Sequence, residues 1–388
     1  MFSMKQIYEQ IILGAGASGL MTAAQLKHAE GTLIIDGNPR PGAKIAISGG
    51  GRCNLTNEKV SVEDYVGDPV FIVPVLQRFD AGQTRRWFEE RGVALVKQKQ
   101  EQYFAAEGAP AVVKTLEKHS AKAKRCLKCR IRKVQRQDGL FVVETDRGTY
   151  RSERLVVATG GVSYPRLGAT DIGYRIAEHF AHAVVPPRPA LVGWTLQPEQ
   201  FFFKELSGIA ADVTIRIGER TITDRILFAH RGVSGPAVLN ASLFWEKGWV
   251  AIDFLPGFDL RRIRNSGKQL TTLLPLPRRM TQAFLAHLEI ADRPARRLSD
   301  EEWRRLEGLH VYRFAPAGTF GFSRAEVTRG GVATDAIDPE TMMSRTVPGL
   351  YFVGEVLDVT GRLGGYNFQW AFSSAAACAR ALSQRQQV

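Results

Sequence analysis

The run GAGASGL, Gly14–Leu20, constrains this chain more than any other stretch. It follows the apolar Ile11–Leu13 and opens a helix-forming segment, Ala17 to His28. A second apolar run, Thr32 to Ile35, then ends on Asp36. Gly14, Gly16 and Gly19 therefore form G-x-G-x-x-G at a strand-to-helix junction. There each glycine has a separate duty: Gly14 makes the tight turn, Gly16 lets backbone approach a pyrophosphate, and Gly19 lets the helix pack on the strand. The helix N-terminus, with Ala17 and Ser18 in its first turn, directs N–H groups and a positive dipole at the phosphates. Asp36, about 20 residues on, is placed to accept hydrogen bonds from ribose hydroxyls, and an acid there argues against a 2′-phosphate. The segment predicts the start of a Rossmann-like α/β fold.

With 388 residues, the chain exceeds the roughly 250–300 that one core supports, so more than one domain is expected. The glycine-rich style of the opening fades near VVPPRPA, Val184–Ala190, and returns from Phe320. Between them lie a β-like alternation and a stretch rich in Leu, Arg and Glu. This pattern predicts a nucleotide-binding domain of two segments, 1–187 and 321–388. An inserted β-rich domain spans 188–262, a small helical domain spans 263–307, and 308–320 returns through the β-rich part.

Four cysteines, Cys53, Cys126, Cys129 and Cys378, are too few for a disulfide framework in so long a chain. They fit a reducing compartment, and a cytoplasmic location is expected. The single C-x-x-C, Cys126 to Cys129, has no second ligand pair, so no metal is expected. The apolar stretch Ile11 to Leu26 is broken by glycine and falls short of the ~20 residues that span a membrane. A net charge of +13 raises nucleic acid as a partner, with its densest cluster at Lys118 to Arg136. No recognised RNA- or DNA-binding module accompanies the charge. A solvated basic surface with weak, salt-dependent affinity is expected, without sequence-specific nucleic-acid binding. Nothing in the sequence sets an oligomeric state.

Further glycine-rich loops punctuate the chain. ISGGGRCN, Ile47–Asn54, gives up backbone order to three consecutive glycines and then presents polar side chains. A strand running into Thr159, Gly160 and Gly161 is another place where backbone meets ligand.

These pieces together resemble the YhiN/BaiN-like FAD flavoproteins, a family that includes bacterial aminoacetone oxidase. The matching runs are GAGASGL (Gly14–Leu20), SGGGRCNLTN (Ser48–Asn57), ATGGVSYPRLG (Ala158–Gly168), LFAHRGVSGP (Leu227–Pro236), VTRGGV (Val327–Val332) and PGLYFVGEVLDVTGRLGGYNFQWA (Pro348–Ala371). The resemblance implies a Rossmann-like FAD domain of two segments, a β-barrel-like insertion and a small helical domain. It implies that Gly49, Gly50 and Gly51 lie against the cofactor while Lys44, Ser48, Arg52 and Asn54 supply donors. GLYFVGE reads as a strand, Gly349–Glu355, that ends on Gly354 and Glu355 and suits ribityl hydroxyls, with Asp358 close behind. Gly364 and Gly365 open a helix, with Asn367 in its first turn, whose positive end would face the flavin pyrimidine ring.

The activity so implied is that of an FAD-dependent oxidoreductase. Hydride would pass between a small substrate, an amine being one class, and flavin N5, with reoxidation by oxygen or another acceptor. NAD(P)H-driven reduction of an organic substrate, the nicotinamide binding transiently, is the alternative within the class. An RNA-modifying flavoprotein, motivated by the charge, is the alternative outside it. His230, just before RGVSGP, is either a general base facing substrate or a structural histidine at a strand end.

Overall fold

The computed structural model describes residues 6–98 and 101–384. It divides into two units, one made of Met1–Arg188 with Val327–Val388 and the other of Pro189–Glu326.

The first unit is built on a seven-stranded sheet. Its parallel part runs in the order Lys124–Cys126, Thr32–Ile35, Ile7–Leu13, Gly148–Val157. Ile11, Ile12 and Leu13 are fully buried, as are Leu155 to Val157. Such continuous apolar runs belong to parallel strands covered on both faces. The strand Gly148–Val157 is long enough to have two neighbours on one side. Its first half pairs antiparallel with Leu140–Thr145, which leads to the edge strand Ile131–Gln137. Its second half pairs parallel with Leu350–Phe352 from the second chain segment. That strand, returning from far along the sequence, completes the sheet.

The helix Ala17–Gln25 packs against both Ala109–His119 and Tyr366–Ser383. The last of these is the longest helix, and its buried residues lie all round it, including Gln369, Trp370 and Ser373. Burying its polar side chains requires partners. Gln369 and Ser373 both donate to the Phe79 carbonyl, at 2.8 and 2.7 Å, and Gln369 accepts from the Thr56 hydroxyl at 2.6 Å.

The second unit is an antiparallel sheet of seven strands, ordered Tyr312–Phe314, Val250–Asp253, Ala210–Ile217, Arg220–Ala229, Gly232–Ser234, Trp194–Thr195, Gly318–Thr319. Its two edge strands are neighbours in sequence, so the sheet curls in the manner of a barrel. Phe203, Phe228, Phe254, Phe284 and Phe314 fill it. The segment 263–307, expected as a domain of its own, shares this core through Leu270, Met280, Phe284 and Trp303. Its helices, Leu270–Leu273, Arg278–His287 and Asp300–Glu307, are too short to enclose a core by themselves. Among the described residues no helix is long and apolar enough to cross a membrane.

Candidate functional site

The glycine turn joins the carboxyl ends of the central strands, where open α/β sheets bind ligands. Gly14 has φ 109° and donates from its N–H to the Ile35 carbonyl at 2.8 Å. A Cβ on Gly14 would lie 2.4 Å from the Ala158 carbonyl oxygen, and one on Gly19 1.9 Å from that of Gly14. Protein packing forces glycine at both. Gly16 differs: its φ is −85° and a Cβ there would meet no protein atom within 4 Å. The helix that follows has no side-chain cap and no acid in its first turn, where Ala17 and the buried Ser18 sit. An uncapped helix end beside a glycine that packing does not demand suits a pyrophosphate. Asp36 accepts from the Ala15 N–H at 2.6 Å and the Asn38 N–H at 2.7 Å. It therefore braces the turn, while each carboxylate oxygen keeps a further lone pair.

In the second loop Gly49, Gly50 and Gly51 have φ of 55°, 66° and 85°, so left-handed backbone rather than crowding selects glycine at Gly50. The donors around it already have protein partners. The Ser48 hydroxyl donates to the Ile45 carbonyl at 2.7 Å, and Asn54 bonds Gln102 at 2.7 Å. Arg52 is exposed, with its guanidinium 4.9 Å from the centre of the Phe104 ring. Cys53 is buried behind the loop, and burial pushes its thiol up to about 12.

Glu355 is the hub of the site. Its Oε2 pairs with Lys44 at 2.5 Å and its Oε1 accepts from the Thr328 N–H at 2.9 Å. The Thr328 hydroxyl oxygen accepts from the N–H groups of Val162 and Ser163 at 2.9 and 3.1 Å. A Cβ on Gly161 would fall 2.5 Å from that oxygen and 3.0 Å from Glu355. The neighbouring Gly160 has φ 72° and faces no protein atom within 4 Å. Lys44, Gly161, Thr328 and Glu355 thus meet from four separate stretches. Thr328 went unmarked in the sequence; only the run VTRGGV pointed near it.

Two hydroxyls here are buried without a hydrogen-bond partner among the described residues, those of Thr159 and Tyr174. Burial, then the charges of Glu355 and Asp358, raises the Tyr174 phenol above its usual value. Asp358 is also raised, by burial, against the opposing charge of Arg329. Tyr174 carried no sequence signal, because its place depends on the packing of the helix Ile172–His179.

The C-terminal motif is partly self-bound. Gly354, at φ 76°, donates to the Ser374 hydroxyl at 3.0 Å, and its Cβ would lie 2.6 Å from the Ser18 hydroxyl oxygen. Gly365, at φ 94°, caps the long helix, and a Cβ there would meet the Thr56 carbonyl at 2.7 Å. Packing onto the strand Asn54–Asn57 thus accounts for this glycine. Gly364 has φ 131°. Asn367 turns back to bond both the N–H and the carbonyl of Gly361, at 2.9 and 2.8 Å. His230 is exposed in a turn of the second unit, after the strand Arg220–Ala229.

A sheet whose parallel core carries an uncapped helix and glycine-lined backbone at its carboxyl edge defines a dinucleotide-binding α/β fold. The chain matches the HI0933-like protein Rossmann domain over residues 8–381 and belongs to that family of FAD-dependent oxidoreductases. A ribosomal RNA dihydrouridine synthase of Haemophilus influenzae is 40% identical over 401 residues, covering 98% of this chain and 100% of that protein. Its namesake in Escherichia coli is 38% identical, over 97% and 98% respectively. A 3-dehydro-bile acid delta(4,6)-reductase of Clostridium scindens is 30% identical, over 96% and 98%. Among solved structures, the FrdA subunit of E. coli quinol fumarate reductase superposes with a TM-score of 0.50 at 16% identity, over 97% of this chain and 70% of that one. It shares the fold.

Proposed function

We propose that this protein reduces the C5–C6 double bond of uridine in ribosomal RNA, with reduced nicotinamide as the electron source. The observation that carries the reading is near-full-length identity to two ribosomal RNA dihydrouridine synthases. The net charge of +13 suits a polyanionic substrate. RNA therefore moves ahead of the small amine, and the expectation of only weak nucleic-acid binding gives way with it. The bile acid reductase supports the reaction class, since its name too denotes a reduction.

Uridine's double bond is conjugated to the C4 carbonyl. Hydride adds at C6 and a proton at C5, so reduced nicotinamide is oxidised as the base is saturated. Bound FAD supplies the two-electron relay between these partners. Gly16 and the helix N-terminus at Ala17 to Gly19 would hold its pyrophosphate, and Asp36 its adenosine ribose. Gly160, Glu355 and Asp358 would offer backbone and carboxylate acceptors to its ribityl hydroxyls. Lys44 holds Glu355 in place through their ion pair.

The test is an anaerobic incubation of the protein with FAD, NADPH or NADH, and unmodified ribosomal RNA. Nuclease digestion and mass spectrometry should show dihydrouridine at a defined position. Absence of dihydrouridine with either nicotinamide, together with flavin bleaching by small amines, would overturn the reading in favour of an amine oxidase.

A further inference from the structure

The sheet of the second unit has one face turned inward to its aromatic core and one turned outward. Register fixes what the outer face shows. Ala251 lies beside Arg216 on one side and Arg313 on the other, and Arg216 pairs in turn with Thr221. Side chains directly across neighbouring strands share a face, so Thr221, Arg216, Ala251 and Arg313 form one row. Arg216, Arg313 and Thr221 are exposed. Two inter-strand spacings put the arginine Cα atoms about 10 Å apart.

Trp249 precedes Ala251 by two residues and so shares its face. Its side chain is 59% exposed, and the Arg313 guanidinium sits 4.9 Å from its ring centre. At this exposure the indole presents an open aromatic face on which a planar group can stack. Neither Arg216 nor Arg313 has an acidic partner among the described residues. Of the acids on this face, Asp253 is buried and bonded to His310. Asp212 stands four residues from Arg216, about 13 Å along the strand.

We infer that this face is a docking platform for a single-stranded stretch of RNA, a base stacking on Trp249 while Arg216 and Arg313 take the flanking phosphates. The inference rests on the RNA reading above and adds where the RNA is held. A nucleobase offers a π-face to the indole, and phosphates match two guanidinium groups that lack an acidic partner, which a neutral or purely anionic partner would not use together.

The two contact types have different signatures in salt. A phosphate contact contributes about −0.7 to the slope of log affinity against log salt for single strands, whereas stacking contributes affinity alone. The experiment uses the FAD-loaded protein and a labelled oligouridine of about twelve nucleotides, within the range of one platform. Fluorescence anisotropy is followed across a salt series. Trp249→Ala should weaken binding about tenfold with the slope unchanged, and Trp249→Phe should restore most of it. Arg216→Gln and Arg313→Gln should each flatten the slope by about 0.7. Flavin reduction by NADPH should stay at the wild-type rate in all four variants, which reports that they are folded.

Wild-type affinity and slope in the Trp249→Ala and arginine variants would overturn this platform while dihydrouridine formation still upheld the RNA reading. Flattened slopes with no effect of Trp249→Ala, and heparin competing as well as RNA, would mean a generic polyanion surface and also overturn it. A wild-type protein that neither binds nor modifies RNA would remove both.

Discussion

Asp36 braces the fold, and in the proposed reading it also holds the adenosine ribose. Its carboxylate braces the glycine turn through the Ala15 and Asn38 N–H groups. Asp36→Ala should weaken FAD binding about ten- to hundredfold by losing a charge-assisted pair to ribose. It should also lower the melting temperature of the apoprotein, since two backbone donors lose their acceptor. Fluorescence titration and apoprotein calorimetry separate the two, and an unchanged dissociation constant would remove Asp36 from the site. Asp358 presents the opposite balance. Burial raises its carboxyl above the usual range. Its contribution to stability is then fully present below the unfolded value of 3.8 and is lost as pH rises through the folded one. Ionised Asp358 is thus a burden at neutral pH that a ligand-binding role would explain. Asp358→Asn should stabilise the apoprotein at neutral pH, with the gain shrinking as pH falls toward about 4, while FAD affinity drops. A less stable Asp358→Asn apoprotein at neutral pH would contradict this. Glu355 and Asp358 were legible in the sequence because they follow closely on the apolar run that forms the strand Leu350–Phe352, Glu355 in the turn Gly354–Val356 and Asp358 just beyond it. Thr328 and Tyr174 were not, because their roles arise only when the strand Val327–Val332 and the helix Ile172–His179 meet that end.

At the level of elements, the glycines fall into two kinds that sequence spacing alone does not separate. Gly19 is fixed by the Gly14 carbonyl of the turn behind it, whereas a Cβ on Gly16 would meet no protein atom within 4 Å. Gly19→Ala should therefore unfold or strongly destabilise the protein. Gly16→Ala should leave the apoprotein's melting temperature nearly unchanged and yet impair FAD uptake, because only the ligand competes for that space. Equal FAD affinity in Gly16→Ala and wild type would show that the pyrophosphate lies elsewhere. Gly365 belongs to the first kind: its left-handed φ and the Thr56 carbonyl exclude any side chain. A left-handed backbone costs an L-residue roughly 1–2 kcal/mol even before that collision. Gly365→Ala should accordingly lower stability whether or not FAD is present, as urea unfolding of both forms would reveal. The pair Gly364–Gly365 was visible as special in the sequence, but its cause was long-range contact, which no local pattern encodes. The short helices within 263–307 are a similar case. Their amphipathic spacing showed helices, and only the three-dimensional core showed what they cover.

At the scale of the whole molecule, every residue proposed to hold FAD lies in the first unit, which the chain builds from two distant segments. The chain leaves that unit after the strand segment beginning at Val184 and re-enters it at Val327, and these two strands, Val184–Ala190 and Val327–Val332, pair with each other. Replacing 189–326 by a short Gly/Ser linker should then yield a yellow protein that binds FAD but forms no dihydrouridine. A colourless product that fails to take up FAD would show that the inserted part is needed to build the cofactor site. The two-segment organisation was legible because the glycine-rich style returns near Phe320, and the crossing point was not, since strand pairing across so many residues leaves no local trace. A chain that departs and comes home through adjoining strands can lengthen, trim or exchange its excursion while both crossing points stay where they are. Evolution can rework such an excursion at little cost to the rest of the chain, because the strands that bracket it hold their own register whatever is spliced between them.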